Sequence, residues 1–225
     1  MGKNIDIHKS KVNVRGKNIY IWPSDIEVIQ ITDSPMTFLT TFTDIEKYHV
    51  KLKERILELE KEKSQTHRFA IGGSKVRYVD EWETAESKLI NYRAMAFFCQ
   101  AVGKEMEDVV ATASWASVSR KYEYLAGHSH DDCIASVVYM LEPGNGNKEN
   151  SLDGRFAITD PRVPGCCDRE PERVTMEVAP DMNPGSMIIF PSELVHHVHP
   201  YTGDEPRITL AWNFKLKDQV NHSML

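Results

Sequence analysis

The chain has 225 residues, of which 41% are hydrophobic and 27% are charged, and its formal net charge is −6. This length is enough for one domain with a single buried core. The negative balance, without any cluster of Lys and Arg, argues against a surface that neutralises the phosphates of duplex nucleic acid or of an anionic membrane.

The N-terminal part predicts two short strands followed by a helix. Residues 17–31 favour strands on either side of a turn at Pro23. Thr43 and Glu46 have the spacing of a capping box, in which each side chain binds a free backbone N–H group at the start of a helix. The apolar face of this helix repeats every three or four residues and comprises Ile45, Tyr48, Leu52, Ile56 and Leu59. A second helix is predicted over 83–102, with Gly103 as its stop.

From residue 109 the pattern changes to short β-rich segments between Gly, Pro and Asp turns. The predicted strands are 109–119, 134–141, 155–159, 173–178, 186–190 and 206–214, and residues 143–154 predict a loop. Many short strands of this kind are typical of an antiparallel sandwich or barrel. We therefore predict a mainly β chain, in which strands and two supporting helices in 1–108 pack on a β core in 109–225, forming one compact domain.

Histidines concentrate in two places in the β-rich half. His128 and His130 precede one predicted strand, and His196, His197 and His199 follow another. Strand ends that are distant in sequence can meet at one rim of a small antiparallel barrel. Imidazoles that converge with a carboxylate on an open-sided site suit Fe(II), which leaves coordination positions free for other molecules.

Residues 115–216 resemble the 2-oxoglutarate/Fe(II)-dependent oxygenase superfamily, and most closely its branch of small oxygenases from bacteria and phages. The matching motifs are Trp115, His128-Ser129-His130, Ser136-Val137-Val138-Tyr139, Asp160-Pro161-Arg162, Gly185, Phe190-Pro191-Ser192, Leu194, His196, Val198, Pro200 and Arg207-Ile208-Thr209. The resemblance implies a double-stranded β-helix (jelly roll) core. It also implies an enzyme that uses Fe(II), O₂ and 2-oxoglutarate as a co-substrate.

The resemblance assigns roles to individual residues. His196 would be the distal metal ligand, and Arg207 would hold the far carboxylate of 2-oxoglutarate, with help from Thr209 and Tyr124. A planar guanidinium is well suited to bind a carboxylate through two hydrogen bonds. On strand alternation, Ser136, Val138 and Met140 are expected to point into the barrel near the co-substrate.

The proximal metal ligands have two alternative registers. The superfamily norm of His-x-Asp gives His130, Asp132 and His196, whereas the closer branch has His-x-His and gives His128, His130 and His196. Tyr124 favours the second register, because an aromatic residue commonly precedes the first ligand. A carboxylate favours the first, because it balances more of the metal charge. Both alternatives remain open, and His130 is common to them.

The neighbouring residues are expected to have minor roles. His197 should point away from His196, His199 is expected to be solvated, and Cys133 is expected to be a small packing residue. Cys166 and Cys167 lie in a predicted Pro/Gly loop, and the segment 143–170 is expected to shape the substrate pocket. The four cysteines have no CxxC spacing and the first residues lack a signal-peptide core. We therefore expect a cytoplasmic protein, or one in the host cytoplasm if the chain comes from a phage.

The implied function is a hydroxylase that couples decarboxylation of 2-oxoglutarate to C–H oxidation. Its substrate would be a protein side chain, a nucleobase or a small metabolite. The alternative is a cupin-like metal-binding protein or another type of dioxygenase. A cupin would have a Glu shortly after its second His, and residues 133–139 contain none. A third interpretation, a structural jelly roll, leaves the two histidine groups without a role.

Overall fold

Antiparallel strands form most of the secondary structure in the computed structural model, which describes residues 6–31, 36–62, 64, 66–69, 72–159 and 177–218. The described strands are β1 (Lys11–Val14), β2 (Lys17–Tyr20), β3 (Val28–Gln30), β4 (Phe38–Thr41), β5 (Thr66–Phe69), β6 (Gly73–Arg77), β7 (Val109–Ser119), β8 (Leu125–His128), β9 (Ala135–Glu142), β10 (Phe156–Thr159), β11 (Glu177–Val178), β12 (Ser186–Pro191), β13 (His196–Val198) and β14 (Arg207–Leu216). The described helices are α1 (His49–Leu59) and α2 (Ala85–Val102), with 3₁₀ turns at Ile45–Lys47, Val79–Glu81 and Met106–Asp108. No helix in this part of the chain is long and apolar enough to cross a membrane.

Two antiparallel sheets face each other. The major sheet has the order β3-β4-β12-β9-β14-β7-β6-β5, and the minor sheet has the order β11-β10-β13-β8. Between their inner faces lies a small apolar core with Val138 and Ile188 from the major sheet, and Phe156 and Ile158 from the minor sheet. This is the predicted jelly-roll arrangement, in which each sheet buries one face against the other.

The outer face of the major sheet packs on the helices and forms the larger apolar core. Leu52 and Ile56 of α1 and Phe97 of α2 are buried there with Tyr139 and Trp212 from the sheet. Residues before 109 also supply β3, β4, β5 and β6 to the major sheet. The N-terminal part therefore extends the sheet as well as covering it.

The predicted capping box at the first helix is wrong. The 3₁₀ turn Ile45–Lys47 begins after Asp44, and no side chain caps it. The Asp44 carboxylate instead binds Arg93, with Nη1–Oδ1 and Nη2–Oδ2 distances both 2.8 Å. Arg93 is fully buried and also donates to the carbonyl groups of Tyr20 and Ile21. A buried guanidinium must be paired, so the Asp44 side chain, at the N-cap position, binds Arg93 instead of capping the turn.

The other helical predictions are close to the structure. Tyr48, Leu52, Ile56 and Leu59 are buried as predicted, although α1 proper starts at His49. Helix α2 starts after Thr84, whose side chain accepts a hydrogen bond from the Ser87 N–H group. It ends at Gly103 with φ of 65°, the left-handed conformation for which glycine is favoured.

The strand predictions succeed where alternation is long. Strands β7, β9, β10, β12 and β14 lie within a residue or two of their predicted bounds, and Glu177–Val178 is the described part of the predicted strand 173–178. The two strands predicted in 17–31 exist, but they pair with β1 and β4 in different sheets. The short strands β8 and β13, which carry the histidines, were missed, and residues 160–176 lie outside the described part.

Candidate metal centre and co-substrate pocket

Strands β8 and β13 bring the two histidine groups together. His128 is the last residue of β8, and His196, the first of β13, is its register partner. His130 follows β8 by two residues, and its backbone N–H donates to the Ser192 carbonyl at 2.9 Å. Two pieces of chain that are far apart in sequence therefore meet at one rim of the barrel.

His128, His130 and His196 form a compact group of potential ligands. One ring nitrogen of each lies within 4.8 Å of the corresponding atoms of the other two. The ring centroids are 4.3 Å apart for His128 and His196, and 5.1 Å apart for His128 and His130. Asp132 is exposed and does not belong to this group. The geometry thus brings together three imidazoles without a carboxylate.

Two of the three rings are oriented by the backbone. Nδ1 of His128 lies 2.9 Å from the Ala126 carbonyl, and Nδ1 of His196 lies 2.9 Å from the Leu194 carbonyl. Because a carbonyl oxygen only accepts, each Nδ1 must carry the proton, which leaves a lone pair on Nε2. Metal-binding histidines are commonly oriented in this way.

The surroundings favour the neutral form of these imidazoles. The pKa of His196 is lowered to about 3, mainly by desolvation on burial and to a smaller extent by the neighbouring His128 and His130. Burial is also the main cause of the lowered pKa of both His128 and His130. Only the neutral form can donate a lone pair to a metal, so the site favours the competent protonation state.

Arg207 lies in the same cavity as His128 and His196. It is the first residue of β14 and only 2% exposed, and its Nη2 group has no hydrogen-bond partner among the described residues. Burial lowers its pKa to about 10, which leaves it charged at neutral pH. Burying a cation without a counter-ion raises the free energy of the folded state. A bound anion would stabilise the Arg207 guanidinium by compensating its charge.

A row of hydroxyl groups accompanies Arg207 along the cavity wall. Arg207 pairs with Ser119 and Thr209 pairs with Ser117 across β14 and β7, and all four residues line the cavity. Thr209 was expected at this position, whereas the two serines were missed. The two serines could have been noticed because they alternate in 115–119, but the sequence alone does not show that this strand pairs with the strand of Arg207. Tyr124 is not among the residues that line this cavity.

The predicted inward face of β9 is confirmed. Val138 lines the cavity, and Ser136 Oγ donates to Asn213 Oδ1 at 2.9 Å on the same face. Met140 lines an adjoining cavity that also contacts Arg207. Cys133 is half-buried, and burial raises the pKa of its thiol, which agrees with a packing role. Cys166 and Cys167 lie outside the described residues.

Lys75 and Trp115 form a feature that sequence analysis missed. The Lys75 ammonium lies 4.6 Å from the centroid of the Trp115 ring, and that ring lies 6.1 Å from the ring of His130. Burial lowers the pKa of Lys75. Trp115 lines both the histidine cavity and a second cavity next to it, whereas Lys75 lines the second cavity, so the Trp115 ring lies between the two spaces.

His197 and His199 lie on the other side of the minor sheet. His197 follows His196 in β13 and, as predicted, points away from it. The Nε2 atoms of His197 and His199 are 3.3 Å apart, and the carboxylate of Glu177 on β11 binds both of these rings. His199 is therefore part of a three-residue cluster, and the prediction that its side chain is solvated is wrong.

Comparison with known proteins gives a family match for the β-rich half. The model of the family described as "Putative 2OG-Fe(II) oxygenase" matches residues 113–213, a little less than half of the chain. This segment includes all three clustered histidines and Arg207. No curated protein sequence matches the chain.

The fold is similar to those of several solved structures. EctD from S. alaskensis has a TM-score of 0.57 and 13% identity, covering 87% of this chain and 86% of that one. A 2OG-Fe(II) oxygenase family oxidoreductase from Burkholderia pseudomallei has a TM-score of 0.53 and 12% identity, covering 80% and 84%. AviO1 from Streptomyces viridochromogenes has a TM-score of 0.53 and 14% identity, covering 80% and 87%. At these identities the likeness concerns the fold.

Proposed function

Because this chain belongs to the 2-oxoglutarate/Fe(II)-dependent oxygenase superfamily, we propose that it is a hydroxylase whose iron is held by His128, His130 and His196 and whose 2-oxoglutarate is held by Arg207. The enzyme is a 2-oxoglutarate-dependent dioxygenase that uses Fe(II) and O₂. In this proposal the enzyme hydroxylates a C–H bond in a protein side chain, a nucleobase or a small metabolite.

The Nη2 group of Arg207, which has no hydrogen-bond partner in the described part of the chain, is the main support for its role in binding the co-substrate. 2-Oxoglutarate has a keto-acid end and a distal carboxylate, and Arg207 shares a cavity with two of the clustered histidines. A distal carboxylate at Arg207 would satisfy the buried guanidinium through charge-assisted hydrogen bonds. The hydroxyls of Thr209 and Ser119 are placed on the same wall to add further donors.

The compactness of the three imidazoles supports the His-x-His register. Their potential ligand atoms lie close together, two rings have Nε2 free, and Asp132 is exposed outside the group. Three neutral imidazoles leave the whole metal charge to be balanced by other groups. The dianionic co-substrate is one such group, so this register would make its binding strongly dependent on the metal.

The protein residues would act by holding, orienting and shielding. Bound iron together with 2-oxoglutarate and O₂ supplies the oxidising chemistry, in which 2-oxoglutarate is converted to succinate and CO₂. Arg207 would fix the distal end of the co-substrate, and the apolar side chains of Val138 and Phe156 on the cavity wall would exclude water. Trp115 would separate the co-substrate from the adjoining cavity, which would be the place for a primary substrate.

An anaerobic binding experiment tests this function. Fe(II) and then 2-oxoglutarate are added to the metal-free protein, and the weak visible charge-transfer band of the chelate is recorded. The band should form with wild type, and at the same 2-oxoglutarate concentration it should be lost in Arg207→Ala. Arg55→Ala, on the exposed face of α1, is the matched control and should keep it. A wild type that binds Fe(II) but gives no band with 2-oxoglutarate would support the cupin-like alternative.

A further inference from the structure

The outer face of the minor sheet carries a second group of metal-ligand type. Glu177 lies in β11, His197 in β13, and His199 just after β13. One potential ligand atom of each lies within 4.8 Å of those of the other two. Two imidazoles and one carboxylate form a donor set that divalent transition metals bind readily.

The sheet register explains why these residues meet. His197 pairs with Ala157, and Glu177 pairs with Thr159, so all four residues project from one face of the minor sheet. Strand β10 lies between β11 and β13, and Ala157 has the shortest side chain of β10. The longer Glu177 and His197 side chains can therefore meet above Ala157.

The distances between the ligand atoms are close to those of a tetrahedral site. Nε2 of His197 lies 3.3 Å from Nε2 of His199, and these atoms lie 3.1 Å and 2.9 Å from the two carboxylate oxygens of Glu177. Zinc bonds of about 2.0–2.1 Å at tetrahedral angles require ligand atoms roughly 3.3 Å apart. The three side chains are already close to this spacing, and they are only 17–25% exposed.

The geometry points to a Zn²⁺ site formed by Glu177, His197 and His199, separate from the iron centre and on the opposite face of β13. Three protein ligands would leave one position for water. The cation would join β11, at the edge of the minor sheet, to the strand that carries His196. Its function would be to stabilise the wall of the reaction cavity from outside.

Zinc stoichiometry of the full chain tests the inference. Zn²⁺ alone is added to metal-free protein, unbound metal is removed, and bound zinc is measured by mass spectrometry. Wild type should bind two equivalents, because the three clustered histidines inside the barrel also accept zinc. His197→Ala/His199→Ala should bind one equivalent, and so should His128→Ala/His130→Ala. Circular dichroism checks that each variant is folded.

A second measurement removes the contribution of the inner site. In the His128→Ala/His130→Ala background, zinc at about 100 times its dissociation constant should raise the melting temperature by about 5 to 10 °C. Adding Glu177→Gln, which has nearly the same shape, should abolish the rise. Two results would overturn the inference: no zinc bound in this background, or a rise that survives Glu177→Gln. Either would mean that the three side chains form only a hydrogen-bonded cluster.

Discussion

His196 and His197 are consecutive residues of one strand, yet they belong to two different groups of potential ligands on opposite faces of the minor sheet. His196 is buried with His128 and His130, whereas His197 contacts His199 and Glu177. Strand alternation alone produces this division. Each group can therefore be altered by substitution without touching the residues of the other.

The ligand register is tested by removing one side chain at a time. His128→Ala should lose most of its Fe(II) affinity, because it removes one of three clustered donors, whereas Asp132→Ala should bind Fe(II) as wild type does. Anaerobic Fe(II) titration with measurement of bound iron distinguishes them. Loss of iron in Asp132→Ala with retention in His128→Ala would support the His130, Asp132 and His196 register instead.

Co-substrate affinity should depend on the guanidinium of Arg207. Arg207→Ala should raise the dissociation constant of 2-oxoglutarate about 100-fold, since charged hydrogen bonds contribute up to about 3 kcal/mol. Arg207→Lys keeps the charge but loses the two-pronged geometry, so a rise of about tenfold is expected. Thr209→Val should raise it about fivefold. Calorimetry with Fe(II)-loaded protein measures all three, and unchanged affinity in Arg207→Ala would contradict the assignment.

The metal-free protein should lose stability as pH falls. Burial lowers the pKa of His196 to about 3 and that of His49 to about 4, from the ordinary histidine value of 6.5. Below about pH 6.5 the unfolded chain binds protons at these two histidines that the folded state does not bind. Their contribution to the free energy of unfolding is therefore complete above this pH and decreases as the pH falls towards 4.

Urea unfolding at pH values between about 7.5 and 4.5 measures this dependence. His49→Gln can still form a hydrogen bond with the Tyr139 hydroxyl, which lies 2.5 Å from Nε2 of His49. This variant should show a smaller loss of stability over the same range. A free energy of unfolding that rises on acidification would contradict the expectation.

The Asp44–Arg93 pair should be a major contact between the turn before α1 and the second helix. Asp44→Ala leaves a fully buried guanidinium without its carboxylate, and it should lower the free energy of unfolding by about 3–5 kcal/mol. Lys47→Ala is the control, because Lys47 lies 3.9 Å from the same carboxylate and is exposed. This control should stay within about 0.5 kcal/mol of wild type in urea unfolding.

Long periodic elements could be predicted from the sequence, whereas short polar ones could not. Strand β7 occupies the predicted residues 109–119, because its alternation extends over many positions. Strand β13 has only three residues, two of which are histidines, so it has no apolar pattern to detect. The capping box of Thr43 and Glu46 failed because the first helical turn begins after Asp44, one residue later than predicted, and the Asp44 carboxylate at that position binds Arg93, far away in sequence.

The candidate site was predictable in its residue types but not in its register. His128, His130 and Asp132 all lie in one polar segment, and only the direction of each side chain distinguishes a buried donor from an exposed one. The hydroxyl of Ser119 and the carboxylate of Glu177 were missed for a different reason. Each acts with residues on another strand, and strand pairing cannot be read from a single local pattern.

The backbone carbonyls that bind Nδ1 of His128 and His196 have a kinetic consequence. These hydrogen bonds already restrict the rotation of the two rings in the folded protein. A cation that arrives at the rim therefore needs to order chiefly the His130 ring. Its ring has no hydrogen bond among the described contacts. Loading would then be limited by diffusion into the mouth and by shedding of water from the ion, rather than by a search among rotamers.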